Sequence, residues 1–323
     1  KHLKNLPNLS CRGCLRSVNH KHVHKRRDAT VRNATRPIQR NQIIHADYGA
    51  MDSRLALKYF FVMVDASTRY SWVTFTDSTD SEMTRDVIEM WYSRLPEQEK
   101  VREIRFDGAS SIWGLRQYED LTALMNEWSK KRNIKFVLTP ESEQNLAEAR
   151  IRQLRKSAKA MRMHAKLDYT YQIHAFRYAN NTSVLVPHEA LGGRAPFMEY
   201  HAKNVNKYLA RLRVFGSKVY IKRKDAPKSE PSAAHLFLGT VGPGGPYVVL
   251  NHATNRLKRV WHGVFDETIT PLSEGVSVVD AQWDDEEEGA DMMSWDMSPT
   301  LFEEVISVTD DNSNAGTEES ESE

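Results

Sequence analysis

Cysteine is nearly missing from this chain of 323 residues, which holds only Cys11 and Cys14. Two residues apart, such a pair cannot staple a secreted fold; it points to a reducing compartment and a metal role. No run of about 18 apolar residues occurs, so no membrane-spanning helix is expected. The opening residues, Lys1-His2-Leu3-Lys4, carry neither an apolar stretch nor an initiator methionine. No secretory signal is visible, and the expectation is a piece of a longer chain. What is present is sufficient for a globular core: 40% of the residues are hydrophobic. The length suggests roughly two domains of about 150 residues each.

Lys and Arg are absent from Ala281 to Glu323, a stretch with 15 acidic residues. The formal net charge of +2 therefore conceals an asymmetry. Residues 1–280 hold 45 Lys+Arg against 28 Asp+Glu, a net of +17. A body so basic points to a polyanion partner, most simply nucleic acid. The tail, with its run Asp284-Asp285-Glu286-Glu287-Glu288, is expected to be solvated and disordered. It reads either as a linker or as an internal polyanion mimic that competes for the basic body.

Residues 1–40 are a basic lead, with eleven Lys/Arg against Asp28. From Asn41 the pattern turns periodic. Gln42 to Tyr48, Lys58 to Asp65, Arg69 to Phe75, Val101 to Phe106 and Ile134 to Leu138 read as five short strands. Ala66-Ser67-Thr68 suggests a hairpin turn between the second and third. Asp80 is placed to cap a helix carrying Met83, Val87, Met90 and Trp91 on one stripe. Leu121, Leu124, Met125 and Trp128 form a second helical stripe, and a long basic helix runs from about Ala147 to Lys166. Three consecutive strands suggest an antiparallel meander, and the later two suggest parallel additions with helical crossovers. The fold class is thus α/β, with a mixed five-stranded sheet and helices on its faces. Beyond about Val205, alternating segments such as RVFGSKVYIKRK predict a small antiparallel β-barrel-like unit with basic outer faces.

Two aspartates stand at strand ends: Asp47 closes the first strand and Asp107 the fourth, where Gly108 permits a tight exit. If those strands are neighbours, both carboxylates emerge at one edge. Glu148 opens the basic helix. Three converging carboxylates repel one another unless a cation neutralises them. Oxygen-only ligands suit Mg²⁺ or Mn²⁺, and two such ions can stabilise both oxygens of a phosphodiester displacement. Behind Glu148, Arg152, Arg155, Lys159, Arg162 and Lys166 recur every three or four residues, while Ile151, Leu154, Ala158 and Met161 form the opposite stripe. A carboxylate opening onto a row of cations suits a metal site that feeds a phosphate-binding groove.

With these residues in view, the chain resembles the integrase region of a copia-type retrotransposon polyprotein, over most of residues 8–270. IIHADYGAM resembles that family's first-Asp strand and IRFDGAS its second-Asp segment. YFFVMVDASTRYSWV is similar to its second and third strands. TPESEQNLAEARIRQLRKSAKAM is similar to its third-ligand segment and basic helix. VPHEALGGRAP, RVFGSKVYI, FLGT and WHGVFDE resemble its later elements.

The resemblance implies an RNase H-like catalytic core over 41–200 with Asp47, Asp107 and Glu148 as catalytic, Mg²⁺- or Mn²⁺-binding residues. It implies a small β-rich domain over 205–270; the charge count, not the resemblance, marks 271–323 as an acidic disordered tail. The family's commonest spacing would land on Glu143; the Leu-Ala-Glu context and the basic helix favour Glu148. Arg152, Arg155, Lys159 and Arg162 are expected to bind nucleic acid. Cys11 and Cys14 would belong to a truncated zinc-binding module within 1–40, and His20, His22 and His24 offer a second way to complete a Zn²⁺ tetrahedron. The implied partners are element and target DNA and further copies of the chain, with no membrane. The implied location is the nucleus, with cytoplasmic particles beforehand. The sequence departs from the family where Leu146 follows Asn145 and where Gly108-Ala109-Ser110-Ser111 follows Asp107. These departures keep two alternatives open: a catalytically decayed or repurposed DNA-binding protein, and a metal-dependent nuclease without joining activity.

Overall fold

The computed structural model describes residues 39–96, 101–107, 115–139, 145–222, 233–251, 253–268 and 282–283. The side chains of 107, 115–118, 139, 282 and 283 lie outside that description. So do the Cys11/Cys14 pair, Glu143 and the acidic residues from Asp284 onward.

Five strands form the first sheet: β1 (Ile43–Ala50), β2 (Tyr59–Asp65), β3 (Ser71–Thr76), β4 (Glu103–Asp107) and β5 (Lys135–Thr139). Their order is β3-β2-β1-β4-β5. The first three pair antiparallel, whereas β1 with β4 and β4 with β5 pair parallel. The sheet is mixed, as the element order predicts. The tight β2–β3 turn is held by the buried Asp65 carboxylate. It accepts from the Asn41 amide at 3.0 Å and from the Thr68 amide at 2.8 Å. Desolvation raises the Asp65 pKa, and those donors oppose the rise.

Alternation along the strands divides the core in two. Ile44, Ala46 and Tyr48 of β1, Phe61 and Met63 of β2, and Ile104 and Phe106 of β4 share one buried cluster. It is covered by helices α1 (Ser81–Ser93) and α2 (Leu115–Lys131), through Val87, Ile88, Trp91, Leu121, Met125 and Trp128. Full burial of each such side chain contributes about 1.5–3 kcal/mol. Asp80 caps α1, accepting from the Met83 amide at 2.7 Å. On the opposite face lie α3 (Leu146–Ala165) and α4 (Gln172–Ser183). Phe60 of β2 meets Phe176 of α4 there, ring centroids 4.5 Å apart. Ile151, Leu154 and Ala158 are buried, Met161 only partly.

Beyond α4 the chain forms α5 (Pro196–His201) and α6 (Asn206–Leu209), which pack on the β3 side of the sheet. Tyr70 stacks on Tyr200 at 4.7 Å. A second sheet follows, from β6 (Lys218–Ile221), β7 (Ala233–Thr240), β8 (Tyr247–Asn251), β9 (Arg256–Val260), β10 (Val264–Asp266) and β11 (Gln282–Trp283). Its order is β10-β6-β7-β8-β9-β11. All pairs are antiparallel except β9 with β11. The expected barrel-like closure is not formed: among the described residues the two ends, β10 and β11, are not paired. Three and two residues long, these edges offer too little ladder to close a sheet that would also need tilt and stagger. Helix α4 joins the sheets: Tyr178 packs edge-on against Phe237 at 5.3 Å, and Asn181 donates to the Thr240 carbonyl at 2.8 Å. The described residues fall in one compact unit. Among the described residues no helix is long and apolar enough to cross a membrane.

A buried imidazole, His174, and a part-buried one, His201, make this fold sensitive to acid. Burial pushes His174 and His201 from an ordinary 6.5 down to about 3, helped by Arg177 at the first and by Lys203 and Arg40 at the second. Both stay neutral in the fold and gain a proton near pH 6.5 once unfolded. Stability present above pH 6.5 is therefore lost as pH falls toward 3. Each histidine is expected to weaken the fold by up to about 1.4 kcal/mol per pH unit in that window. Urea unfolding between pH 7 and pH 4 reads this slope, and His174→Gln should flatten it; an unchanged slope contradicts the assignment.

Candidate active site

Strand β1 is the point at which the chain's direction across the sheet reverses. From β1 the chain moves outward through β2 and β3, then returns to the other flank for β4 and β5. In open α/β sheets, ligands gather in the crevice beyond the carboxyl ends of the strands at such a switch point. The parallel β1/β4 register runs from Ile43↔Glu103 to Ala46↔Phe106. The next position on each strand is an aspartate, Asp47 and Asp107. Two positions from distant stretches thus fall side by side, on strands about 4.8 Å apart.

Asp47 belongs to the strand face opposite the Ile44–Ala46–Tyr48 cluster, toward α3. Its carboxylate accepts from the Tyr48 amide at 2.7 Å, and the residue is 7% exposed. The start of the helix that carries Glu148 is tied to β1 through one side chain. Asn145 caps α3, accepting from the Ala147 amide at 2.9 Å, and its own amide group donates to the Ala46 carbonyl at 3.4 Å. That bridge fastens the start of α3 to the strand residue next to Asp47. Glu148 follows within the first helical turn, where the helix dipole favours negative charge. It is half-exposed and paired with Arg152 at 3.0 Å. Among the described residues no group of three His, Cys, Asp or Glu side chains gathers as a metal-binding cluster. The Asp107 side chain is not among them, so the described donors are Asp47 and Glu148.

The basic stripe of α3 leads away from this point. The Arg155 guanidinium donates to the Ala50 carbonyl at 3.2 Å and lies 5.7 Å from the Phe60 ring centroid. Burial lowers its pKa, and the Asp47 charge opposes the shift. Lys159 is exposed. Arg162 donates to the Asp168 carbonyl, its pKa lowered by burial and opposed by Asp168 and Asp52.

Two residues bear on the site without having been singled out in the sequence. His45, on the same strand face as Asp47, is pushed down to about 4 by burial and by Arg105 and Arg69, against a hydrogen bond with Asn145. It therefore stands neutral beside the carboxylate. Its alternation with Asp47 was the available signal. Arg150 is buried, its pKa lowered to about 10 by desolvation. It donates to Ser71 at 2.9 and 2.7 Å, to Asn180 at 3.3 Å, to Ser183 at 2.6 Å and to Gln153 at 2.9 Å. Its position, between Ala147 and Leu154 on the apolar stripe, sets it apart from the solvated cations. The fork ties α3 to β3 and α4 by neutral acceptors, which hold the helix that carries Glu148. A scan against models of known protein families matches none.

The wall of the site also explains a glycine. A Cβ built at Gly49 would stand 2.2 Å from Cζ of Phe60. The ring therefore occupies the space beside Asp47 where a side chain would be. Gly49→Ala should cost about 1–3 kcal/mol by overpacking. Adding Phe60→Leu should recover part of the loss, both read by denaturant unfolding. A Gly49→Ala chain as stable as the parent contradicts this packing.

Proposed function

We propose that this chain is the integrase region of a copia-type retrotransposon, built on an RNase H-like core, that joins element DNA to target DNA by metal-dependent phosphoryl transfer. The observation that carries the reading is the β1/β4 register, which continues into Asp47 and Asp107 at the sheet's switch point. Asn145 adds to it by fastening the helix of Glu148 to Ala46. The donor set is all oxygen, which fits Mg²⁺ or Mn²⁺ rather than a softer metal. Asp47, Asp107 and Glu148 would hold the ion, which when bound supplies Lewis-acid stabilisation of the phosphodiester oxygens.

The protein's own contribution is to hold charge and position. His45, on the same strand face as Asp47, is held neutral by burial and so adds no positive charge beside the carboxylate. Arg152 would release Glu148 to the metal and turn toward the DNA backbone. Arg155, Lys159 and Arg162 would bind phosphates along the outer face of α3. In strand transfer the element's 3′-hydroxyl attacks a target phosphodiester, and the departing 3′-oxygen of the target takes up the proton. No covalent enzyme intermediate is required. Such work belongs in the nucleus, on DNA held by more than one copy of the chain. Zn²⁺ at Cys11 and Cys14 would belong to a separate module.

A second reading, a decayed or repurposed copy that binds DNA without joining it, is favoured by the Glu148–Arg152 ion pair and by Leu146 directly after Asn145. Asp47→Asn separates the two. In a magnesium assay with paired DNA ends, the substitution should lower joining by more than about 10²-fold, the loss that even outer-shell partners cause. Duplex binding should remain nearly intact. Joining at the parental rate by Asp47→Asn overturns the assignment, and a parent chain that binds duplex but joins nothing supports the decayed copy.

A further inference from the structure

Trp261 follows β9 directly and is 50% exposed. A single exposed apolar residue needs no explanation, but this one is fixed from behind. A Cβ built at Gly263 would stand 2.5 Å from Cγ2 of Val219, so the link into β10 runs tight against β6. The Trp261 carbonyl accepts from Nη2 of Arg211 at 3.3 Å, and the same nitrogen donates to the Gly245 carbonyl at 3.4 Å. The Arg211 guanidinium lies 5.3 Å from the Trp261 ring centroid and 4.7 Å from that of Tyr247. Tyr247 in turn meets Phe265 at 4.9 Å, and Arg213 lies 5.2 Å from the Phe265 centroid. A file of rings and guanidinium groups thus runs from Arg213 through Phe265, Tyr247 and Arg211 to Trp261, its most exposed member. The charge of Arg211 is left without an acid. Among the described residues no carboxylate pairs with it, its Nη1 donates to nothing, and its Nε is buried without an acceptor. The described part of 205–268 holds eight Lys/Arg against Asp266 and Glu267.

We propose that Trp261 and Arg211 form a subsite for one unpaired nucleotide of a nucleic-acid strand, the base stacked on the indole and a backbone phosphate on the guanidinium. A nucleotide carries both a planar ring and an anion, which is what an exposed indole beside an unneutralised cation can hold. The guanidinium behind the indole adds a cation–π contact and restricts the ring before the ligand arrives. Within a duplex both faces of a base are covered by its neighbours, so only an unpaired nucleotide offers a face to stack. The subsite therefore favours strand ends, flaps or single strands over paired DNA. The choice of ligand rests on the nucleic-acid part of the reading above, whereas the subsite uses none of Asp47, Asp107 and Glu148.

Fluorescence anisotropy of the full chain with a labelled oligothymidylate of about twelve nucleotides, a length within single-strand site sizes, tests the subsite. Trp261→Ala should weaken binding roughly tenfold, the effect of losing one stacked base, and Trp261→Phe should restore most of it. The same strand built with abasic sugars keeps every phosphate, so its binding should be indifferent to Trp261→Ala. A blunt, fully paired duplex should bind the variant nearly as it binds the parent. Arg211→Gln should flatten the slope of log affinity against log salt by about 0.7, one phosphate contact on a single strand, and Arg211→Lys should retain it. Parental affinity of Trp261→Ala for the oligothymidylate overturns the subsite. So does an equal loss on the abasic strand, which would mark a general effect on the fold. An Arg211→Gln slope equal to that of the parent overturns the phosphate contact. A Trp261→Ala chain that dissociates to monomer with its strand affinity unchanged assigns the indole to a second copy and overturns the proposal. A parent that binds neither strand nor duplex overturns this proposal together with the DNA-joining reading. Parental binding by every variant, in a chain that joins DNA, overturns this proposal alone.

Discussion

The parallel pairing of β1 with β4 is the constraint on which the rest depends. Antiparallel neighbours present opposite ends at a given edge; parallel neighbours present the same end. Because β4 returns to β1 through a helical crossover, their carboxyl ends open together, with Asp47 and Asp107 the next positions after Ala46↔Phe106. A one-residue slip would exchange the face of every side chain on the strand. The slip is opposed by the buried set on the other face, where Ile44, Ala46 and Tyr48 meet α1 and α2. Packing on one face of the sheet thus fixes the position of a carboxylate on the other.

Holding an acid in so enclosed a place requires compensation nearby. Asp47 has the Tyr48 amide at 2.7 Å and the charge of Arg155. His45 contributes by remaining neutral. Helix α3 is held by two unlike devices: the Asn145 bridge to Ala46 at its start, and the buried Arg150 fork to Ser71, Asn180 and Ser183 one turn later. A buried guanidinium with neutral acceptors is costly to desolvate. It is retained where several elements must meet in one arrangement, here β3, α3 and α4. Outward from that anchor the same helix turns Arg152, Lys156 and Lys159 to solvent, so one element supplies a buried clamp, a carboxylate and a basic face.

What was legible in the sequence was local. Lys58 to Asp65 reads as a buried strand because apolar continuity is itself the signal, and β2 spans Tyr59–Asp65. Asp80 is read as a cap and acts as one. The 3.6-residue stripe predicts α3 to within a residue at each end. The errors are non-local. β1 runs on to Ala50 rather than stopping at Tyr48, because pairing with Tyr59 sustains it. Sheet closure was expected from alternation, but alternation identifies strands and does not tell whether the first and last meet. A charge within an apolar stripe, as at Arg150, carries no signal of its own in the sequence; its acceptors come from β3 and α4. Of the candidate site, the positions of Asp47 and Asp107 follow from strand order and Glu148 from the start of the basic helix, whereas the Asn145 bridge to Ala46 is seen only in the fold.

The central proposal is that Asp47 and Asp107, adjacent through the β1/β4 register, and Glu148 at the start of α3 form one divalent-cation site. Diffraction from crystals grown with Mn²⁺, phased on the anomalous signal of the metal, tests it most directly. The account predicts anomalous density at about 2.1 Å from carboxylate oxygens of both Asp47 and Asp107, with Glu148 turned from Arg152 toward the ion. Strong manganese density elsewhere, with that crevice left without any and Glu148 still paired to Arg152, would contradict it.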